Sequence, residues 1–146
     1  MIIVPMDEKT LPQVYDIEQA CIEEAWSFAE LTKVLSYDNY SYFVACEGDT
    51  VLGYAGAYYA LDEANVTNIA VLGEYRKRGV ATALLRQLCD EAKKRAARNI
   101  FLEVRASNSQ AIALYERFGF QRIGVRKGFY SGPREDGFLY SYLLDK

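Results

Sequence analysis

The sequence predicts an α/β fold built around one mixed sheet. Two periodicities carry this: apolar residues at 3.6-residue helical spacing in some stretches, and short apolar runs of strand character between them. A third observation is turn chemistry. Gly48-Asp49 and Asp62-Glu63 each separate two apolar runs and so predict hairpin connections.

Ile2-Ile3-Val4 reads as a short strand. Thr10-Leu11-Pro12-Gln13 is spelled as a capping box with proline in the first turn, and starts a helix running to about Glu23. The apolar face of that helix is Leu11, Val14, Ile17 and Cys21. A second helix starts at once, with Ser27 and Glu30 as a capping box and Trp26 and Leu31 at the spacing of a hydrophobic staple, and ends near Ser36. Residues 42–47 and 51–61 form a hairpin, and 65–71 is the next strand. A helix over about 79–97 carries Ala81, Leu84, Leu85, Leu88 and Ala92 on one face, with Lys93, Lys94 and Arg95 at its negative end. Residues 100–104 make a buried strand and 108–118 a helix closed by Gly119; 121–129 and 138–144 are the last two strands. The order β-α-α-β-β-β-α-β-α-β-β, without repeats or linkers, is that of a mixed α/β sheet in one domain over 1–146.

Composition bounds the function. With 146 residues, 51% hydrophobic and 25% charged, the chain is globular and long enough for a proper core. A net charge of −3 and a pI near 5.1 argue against a nucleic-acid binder, which needs a basic face. The absence of histidine excludes Ser-His-Asp and Cys-His hydrolases and most zinc sites, so no metal is expected. A general base must then be a carboxylate, a lysine, a tyrosine or water. Cys21, Cys46 and Cys89 are odd in number, far apart and without a Cys-x-x-Cys pair, which reads as reduced core residues of a cytoplasmic protein. The apolar start over 1–4 is too short for a signal peptide, and no run approaches a membrane span.

The densest signal is Arg76-Lys77-Arg78-Gly79-Val80-Ala81-Thr82, between the apolar run 66–72 and a helix. A helix start leaves backbone N–H groups unpartnered and carries partial positive charge. A glycine there lets a phosphate approach the main chain, and three cations surround the spot. A pyrophosphate fits. The spelling is neither Gly-x-x-x-x-Gly-Lys-Ser/Thr nor Gly-x-Gly-x-x-Gly, which removes the Walker and Rossmann readings. Gly53-Tyr54-Ala55-Gly56 matches the Gly-x-x-Gly of a KH module, but inside a β-rich run rather than a loop, so that match is accidental.

Arg-x-x-Gly-x-Ala between a strand and a helix resembles the acetyl-CoA motif of the GNAT N-acetyltransferases. The likeness extends to Asn68-Ile69-Ala70-Val71, to Leu102-Glu103-Val104-Arg105-Ala106-Ser107-Asn108, to Ala111-Ile112-Ala113-Leu114-Tyr115-Glu116 and to Phe118-Gly119-Phe120. It is dense over about 62–120, returns at Arg134-Glu135-Asp136, and is loose over the first sixty residues. Within that family it is most similar to the enzymes that acetylate the N-terminal alanine of a small-subunit ribosomal protein. The resemblance implies a mostly antiparallel sheet with splayed central strands and about four helices, with acetyl-CoA lying in the splay like an extra strand. It also implies an N-terminal ribosomal-protein peptide as the acceptor; mild acidity suits a basic peptide.

Glu103 stands out on its own, as a carboxylate inside the apolar run 100–104, costly unless paired or facing a wet cleft. As a general base it is the first catalytic candidate; the competing reading is an ion pair with Arg105 on the same face. Tyr115 lies two turns beyond Asn108, sharing a helix face with it. Periodicity alone makes Tyr115 a core aromatic. The family likeness makes it the proton donor to the leaving thiolate, and gives Asn108 the pantetheine arm. By the same likeness, Ile69, Ala70 and Val71 use their backbones on pantetheine and the thioester carbonyl. Lys77, Arg78, Gly79, Val80, Ala81 and Thr82 cradle the pyrophosphate. With no cysteine near these motifs along the chain, direct attack by the amine is expected rather than an acyl-enzyme. Trp26 follows Ala25 where relatives commonly have Pro-Trp. The stretch from Phe129 to Asp136 reads as a solvated turn, which by the family likeness borders the peptide site. Acetylation of a lysine or small-molecule amine, or a non-catalytic CoA-binding module, are the alternatives.

Overall fold

The computed structural model describes residues 1–22 and 25–144. In chain order the elements are β1 (Ile2–Pro5), α1 (Leu11–Cys21), α2 (Phe28–Val34), β2 (Tyr40–Glu47), β3 (Thr50–Ala60), β4 (Glu63–Val71), α3 (Val80–Lys94), β5 (Asn99–Arg105), α4 (Ser109–Phe118), β6 (Gln121–Tyr130) and β7 (Glu135–Leu143). A single 3-10 turn, Gly73–Tyr75, joins β4 to the approach to α3. The strands form a seven-stranded sheet in the order β1-β2-β3-β4-β5-β7-β6. All neighbours are antiparallel except β4 and β5, which run parallel because α3 returns the chain between them. The mixed, mostly antiparallel sheet with four α-helices agrees with the expectation. The helix end expected near Glu23 falls on a residue outside those described.

The central strands part. β4 pairs with β5 only through Glu63↔Asn99, Ala64↔Ile100 and Asn65↔Phe101. On its other side β4 stays paired with β3 to Val71, but the register slips between Gly56↔Asn68 and Ala57↔Val66, leaving Thr67 as an extra residue. A bulge bends its strand, and this one sits just where pairing with β5 ends. The Thr67 hydroxyl is 2.8 Å from the Tyr42 hydroxyl, and the Tyr42 ring lies against Gly56, filling the space that a Cβ there would need.

Both faces of the sheet are covered, and β2 displays the two-residue period. Tyr42, Val44 and Cys46 join Leu11, Val14, Ile17, Leu31 and Val34 on the α1–α2 side. Phe43 and Ala45 join Leu84, Leu85, Leu88 and Ala92 of α3 on the other. Among the described residues no helix is long and apolar enough to cross a membrane.

Helix ends separate good sequence signals from misleading ones. The Ser27 box forms as spelled: its hydroxyl accepts from Glu30 N at 3.1 Å and the Glu30 carboxylate from Ser27 N at 3.0 Å. The box expected at Thr10 and Gln13 does not. Gln13 is recruited by the β2–β3 turn, donating to Asp49 O and accepting from Val51 N, both at 2.8 Å. Asp7 and Thr10 exchange side-chain-to-backbone bonds one turn earlier instead. α3 ends at Lys94, short of the expected 97. Ala96 turns left-handed at φ +62, while Ala96 N bonds Lys93 O and Ala97 N bonds Ala92 O, a Schellman stop without its usual glycine.

The connection from α1 to α2 hangs on a buried acid that apolar periodicity passed over. Glu18 has no exposed surface, and its Oε2 accepts from Trp26 N at 2.8 Å. Both its oxygens also accept from Asn68 Nδ2, at 3.1 and 3.3 Å. Glu18 therefore ties β4, one residue before Ile69, to the start of α2. Desolvation by burial pushes its pKa above the usual carboxylate value, and the bond from Trp26 N only partly offsets that. A carboxyl with a higher pKa folded than unfolded holds its proton more tightly in the fold. Its contribution is present at acid pH and is lost as pH rises from about 4.5 through the folded value. Glu18→Gln is expected to abolish that dependence: the variant's melting temperature gains on the wild type as pH rises through that window. A Tm difference constant with pH would contradict this account.

Candidate active site

Where β4 and β5 part, a cleft of about 1000 Å³ opens. Ile69, Ala70 and Val71 of β4 line one wall, and Lys77, Gly79, Val80, Ala81 and Thr82 line its end. Asn108, Ala111 and Tyr115 close the side toward α4. Leu72 N donates to Leu52 O at 3.1 Å, so alternation along the strand turns the main chain of Ala70 toward β3 and that of Ile69 and Val71 toward the gap. Two of the three expected backbone contributors thus present N–H and C=O groups to the opening. The Val71 carbonyl accepts from Arg76 Nε at 3.1 Å, so this arginine braces the wall.

The start of α3 is built as an open anion seat. Gly79 is its N-cap at φ +80, without any side-chain cap, and the first helical bond runs from Ala83 N to Gly79 O. The amides of Gly79 to Thr82 therefore lack intrahelical partners. A Cβ on Gly79 would meet nothing within 4 Å, so the main chain here faces open space. Lys77 also holds a left-handed backbone, at φ +64. Arg78, expected with these residues, is not among those lining the cleft, but its guanidinium lies over the ring of Tyr75, which is, 5.5 Å from the centroid.

Asn108 is the N-cap of α4, its side-chain oxygen accepting from Ala111 N at 3.2 Å, and seven residues on Tyr115 is buried in the same wall. Burial pushes the Tyr115 phenol well above its ordinary pKa, so it keeps its proton.

Glu103 sits differently from the expectation. β5 is not a fully buried strand: Ile100, Leu102 and Val104 are buried, while Phe101, Glu103 and Arg105 take the half-exposed face. Glu103 thus breaks no apolar face, and it lies outside the residues lining the cleft. Its Oε2 is nonetheless shielded from solvent without a hydrogen bond, with Arg126 Nε at 3.5 Å. Arg105 points its charge elsewhere, to Glu135 at 3.0 Å and to the carbonyls of Ser131 and Pro133. The β6–β7 connection is thereby pinned at its base, while residues 131–134 stay exposed as the expected solvated turn. Glu135 in turn accepts from Ser107 N and Oγ, and the Arg105 bond holds its carboxyl below the usual range.

Cys21 corrects another expectation. Distant along the chain from every motif, it lines the cleft with Ile22, its Sγ 3.9 Å from Val71 O. The end of α1 delivers it, and spacing along the sequence gives no signal of that. Cys46 and Cys89 are buried as expected.

Comparison with known proteins agrees with this geometry. The model of the Acetyltransferase (GNAT) family matches residues 11–120. The ribosomal protein bS18-alanine N-acetyltransferase of Escherichia coli K12 is 37% identical over 135 residues, which are 92% of this chain and 89% of that one. The protein of the same name from Haemophilus influenzae is 34% identical over 146 residues, 98% and 99% of the two chains. The crystal structure of the Escherichia coli ribosomal-protein-S18-alanine N-acetyltransferase superposes with a TM-score of 0.88 at 34% identity, covering 99% of this chain and 94% of that one. A family match over three-quarters of the chain, full-length relatives and a shared fold converge: the chain belongs to the GNAT acetyltransferase family.

Proposed function

We propose that this protein transfers an acetyl group from acetyl-CoA to the N-terminal amine of a protein, the N-terminal alanine of a small-subunit ribosomal protein, in the cytoplasm. The single observation that carries the donor is the cleft beside the end of β4 that β5 leaves unpaired, with main-chain groups turned to it along one wall and an uncapped helix start at its end. A pantetheine arm is long, thin and amide-bearing, and suits such a slot; a pyrophosphate suits amides at a helix start. The acceptor rests on the relatives, alike over nearly their whole length.

In this reading Gly79 to Thr82 hold the pyrophosphate through their amides, with Lys77 as the added cation. Asn108 holds the pantetheine, its amide N–H₂ free to donate while its oxygen caps α4. The main chain of Ile69 and Val71 pairs with the donor and polarises the thioester carbonyl. An α-amine has a pKa of ~8, so at neutral pH most of it must lose a proton before attack. Glu103 takes that proton through a water: its Oε2 accepts no hydrogen bond in the fold and has only the Arg126 guanidinium, 3.5 Å away, beside it. The neutral amine attacks the carbonyl carbon, the C–S bond breaks, and Tyr115 donates to the departing thiolate.

Three measurements test the reading. Acetyl transfer over a panel of N-terminal peptides, free lysine and polyamines is expected to favour a peptide beginning with alanine; a preference for ε-amines would move the acceptor class. Glu103→Gln is expected to keep acetyl-CoA affinity and to lose about two to four orders of magnitude in turnover, less at high pH where the amine is already neutral. A variant that keeps its rate but melts earlier would return Glu103 to a structural pair with Arg126. Gly79→Val forces a branched residue to φ +80 and puts its side chain into the open seat. Calorimetry should find acetyl-CoA binding weaker by about ten- to hundredfold, the loss of one or two charge-assisted bonds. Unchanged affinity would mean that the pyrophosphate lies elsewhere.

A further inference from the structure

A second, smaller cavity of about 330 Å³ adjoins the cleft and shares Thr82, Leu114 and Arg117 with it. Its remaining lining is Arg86, Phe118 and Tyr142. Two arginines therefore line one concavity. Arg86 lies over the Phe118 ring, 5.4 Å from the centroid, which holds it beside the opening. Neither Arg86 nor Arg117 is in an ion pair among the described residues. Arginines facing a pocket without a carboxylate partner are a site prepared for an anion.

The order of groups along the cleft names that anion. If the thioester lies at Ile69 to Val71 and the pyrophosphate at Gly79 to Thr82, the rest of the donor continues past Thr82. Arg86 is one helical turn beyond Thr82 on the same face of α3. The part of coenzyme A beyond its pyrophosphate carries one further anionic group, the 3′-phosphate of the ribose. We propose that Arg86 and Arg117 bind this 3′-phosphate, so that the second cavity is the place where the protein distinguishes coenzyme A from its 3′-dephospho form. The proposal rests on acetyl-CoA as the donor. It assigns the two arginines to affinity for the nucleotide end and gives them no part in the chemistry.

Calorimetric titration with coenzyme A and with 3′-dephospho-coenzyme A tests it, on the wild type, Arg86→Ala, Arg117→Ala and the double variant. The wild type is expected to bind coenzyme A about ten- to hundredfold more tightly than the dephospho form, each arginine giving up to about tenfold. High salt should narrow that gap. The double variant should bind both ligands alike, at the wild type's affinity for the dephospho form. Equal binding of the two ligands by the wild type, or a preference surviving in the double variant, overturns the subsite while leaving the donor reading intact. Binding of neither ligand to the wild type overturns the donor reading, and the subsite with it.

Discussion

The constraint on which the rest depends is the early end of hydrogen bonding between β4 and β5. Three residue pairs hold the two strands in register, and beyond Asn65 no residue of β5 pairs with β4. Unpaired main-chain groups inside a sheet are expensive unless something replaces the missing strand. Here the shortage is organised. The Thr67 bulge redirects β4, Tyr42 braces the bulge from below Gly56, and Arg76 satisfies the Val71 carbonyl. What remains open at Ile69 and Val71 is an edge of the right length for an extended, amide-bearing ligand, the geometry of β-augmentation turned inward.

The same opening lets the two sides of a sheet take different tasks. α3 and α4 lie on one face and bring the helix start, Asn108 and Tyr115 to the cleft. Glu103 alternates away from the residues of β5 buried under α3, toward the face that α1 and α2 cover. In the proposed reaction the donor enters from one side and the amine from the other, with the proton acceptor and the proton donor on different elements. Two further contacts fix the acceptor side. Glu18 ties the α1–α2 connection to Asn68, and Arg105 ties the β6–β7 connection to the end of β5. The first is buried and the second lies at the surface, and each fixes a loop through more than one hydrogen bond.

Much of this was legible in the residues, because strong local signals and the fold agreed. The face of α3, the Ser27 box, the hairpins and the element order all follow from periodicity and turn chemistry. What escaped had non-local causes. Gln13 spelled a cap but is used by a turn that arrives from β2–β3, and Ala96 ends α3 in a conformation that only a glycine would have announced. Glu18 broke no apolar pattern, since an acid on a helix usually faces water; its burial is fixed by Asn68, fifty residues on. For Glu103 the residue was singled out for a mistaken reason, an apolar run read as a buried strand, whereas β5 alternates. The bulge and the splay leave no mark on composition or spacing, and the family likeness pointed to the splay alone.

The most direct test of the account is backbone amide exchange, residue by residue, with and without acetyl-CoA. If the donor completes the sheet at the splay, the amides of Ile69 and Val71 slow on binding together with those of Gly79 to Thr82. Ala70, already turned to β3, and the β1–β2 pairs change little. Saturating acetyl-CoA that leaves Ile69 and Val71 exchanging as before would contradict the account, because the ligand would then be held somewhere other than in the missing strand's place.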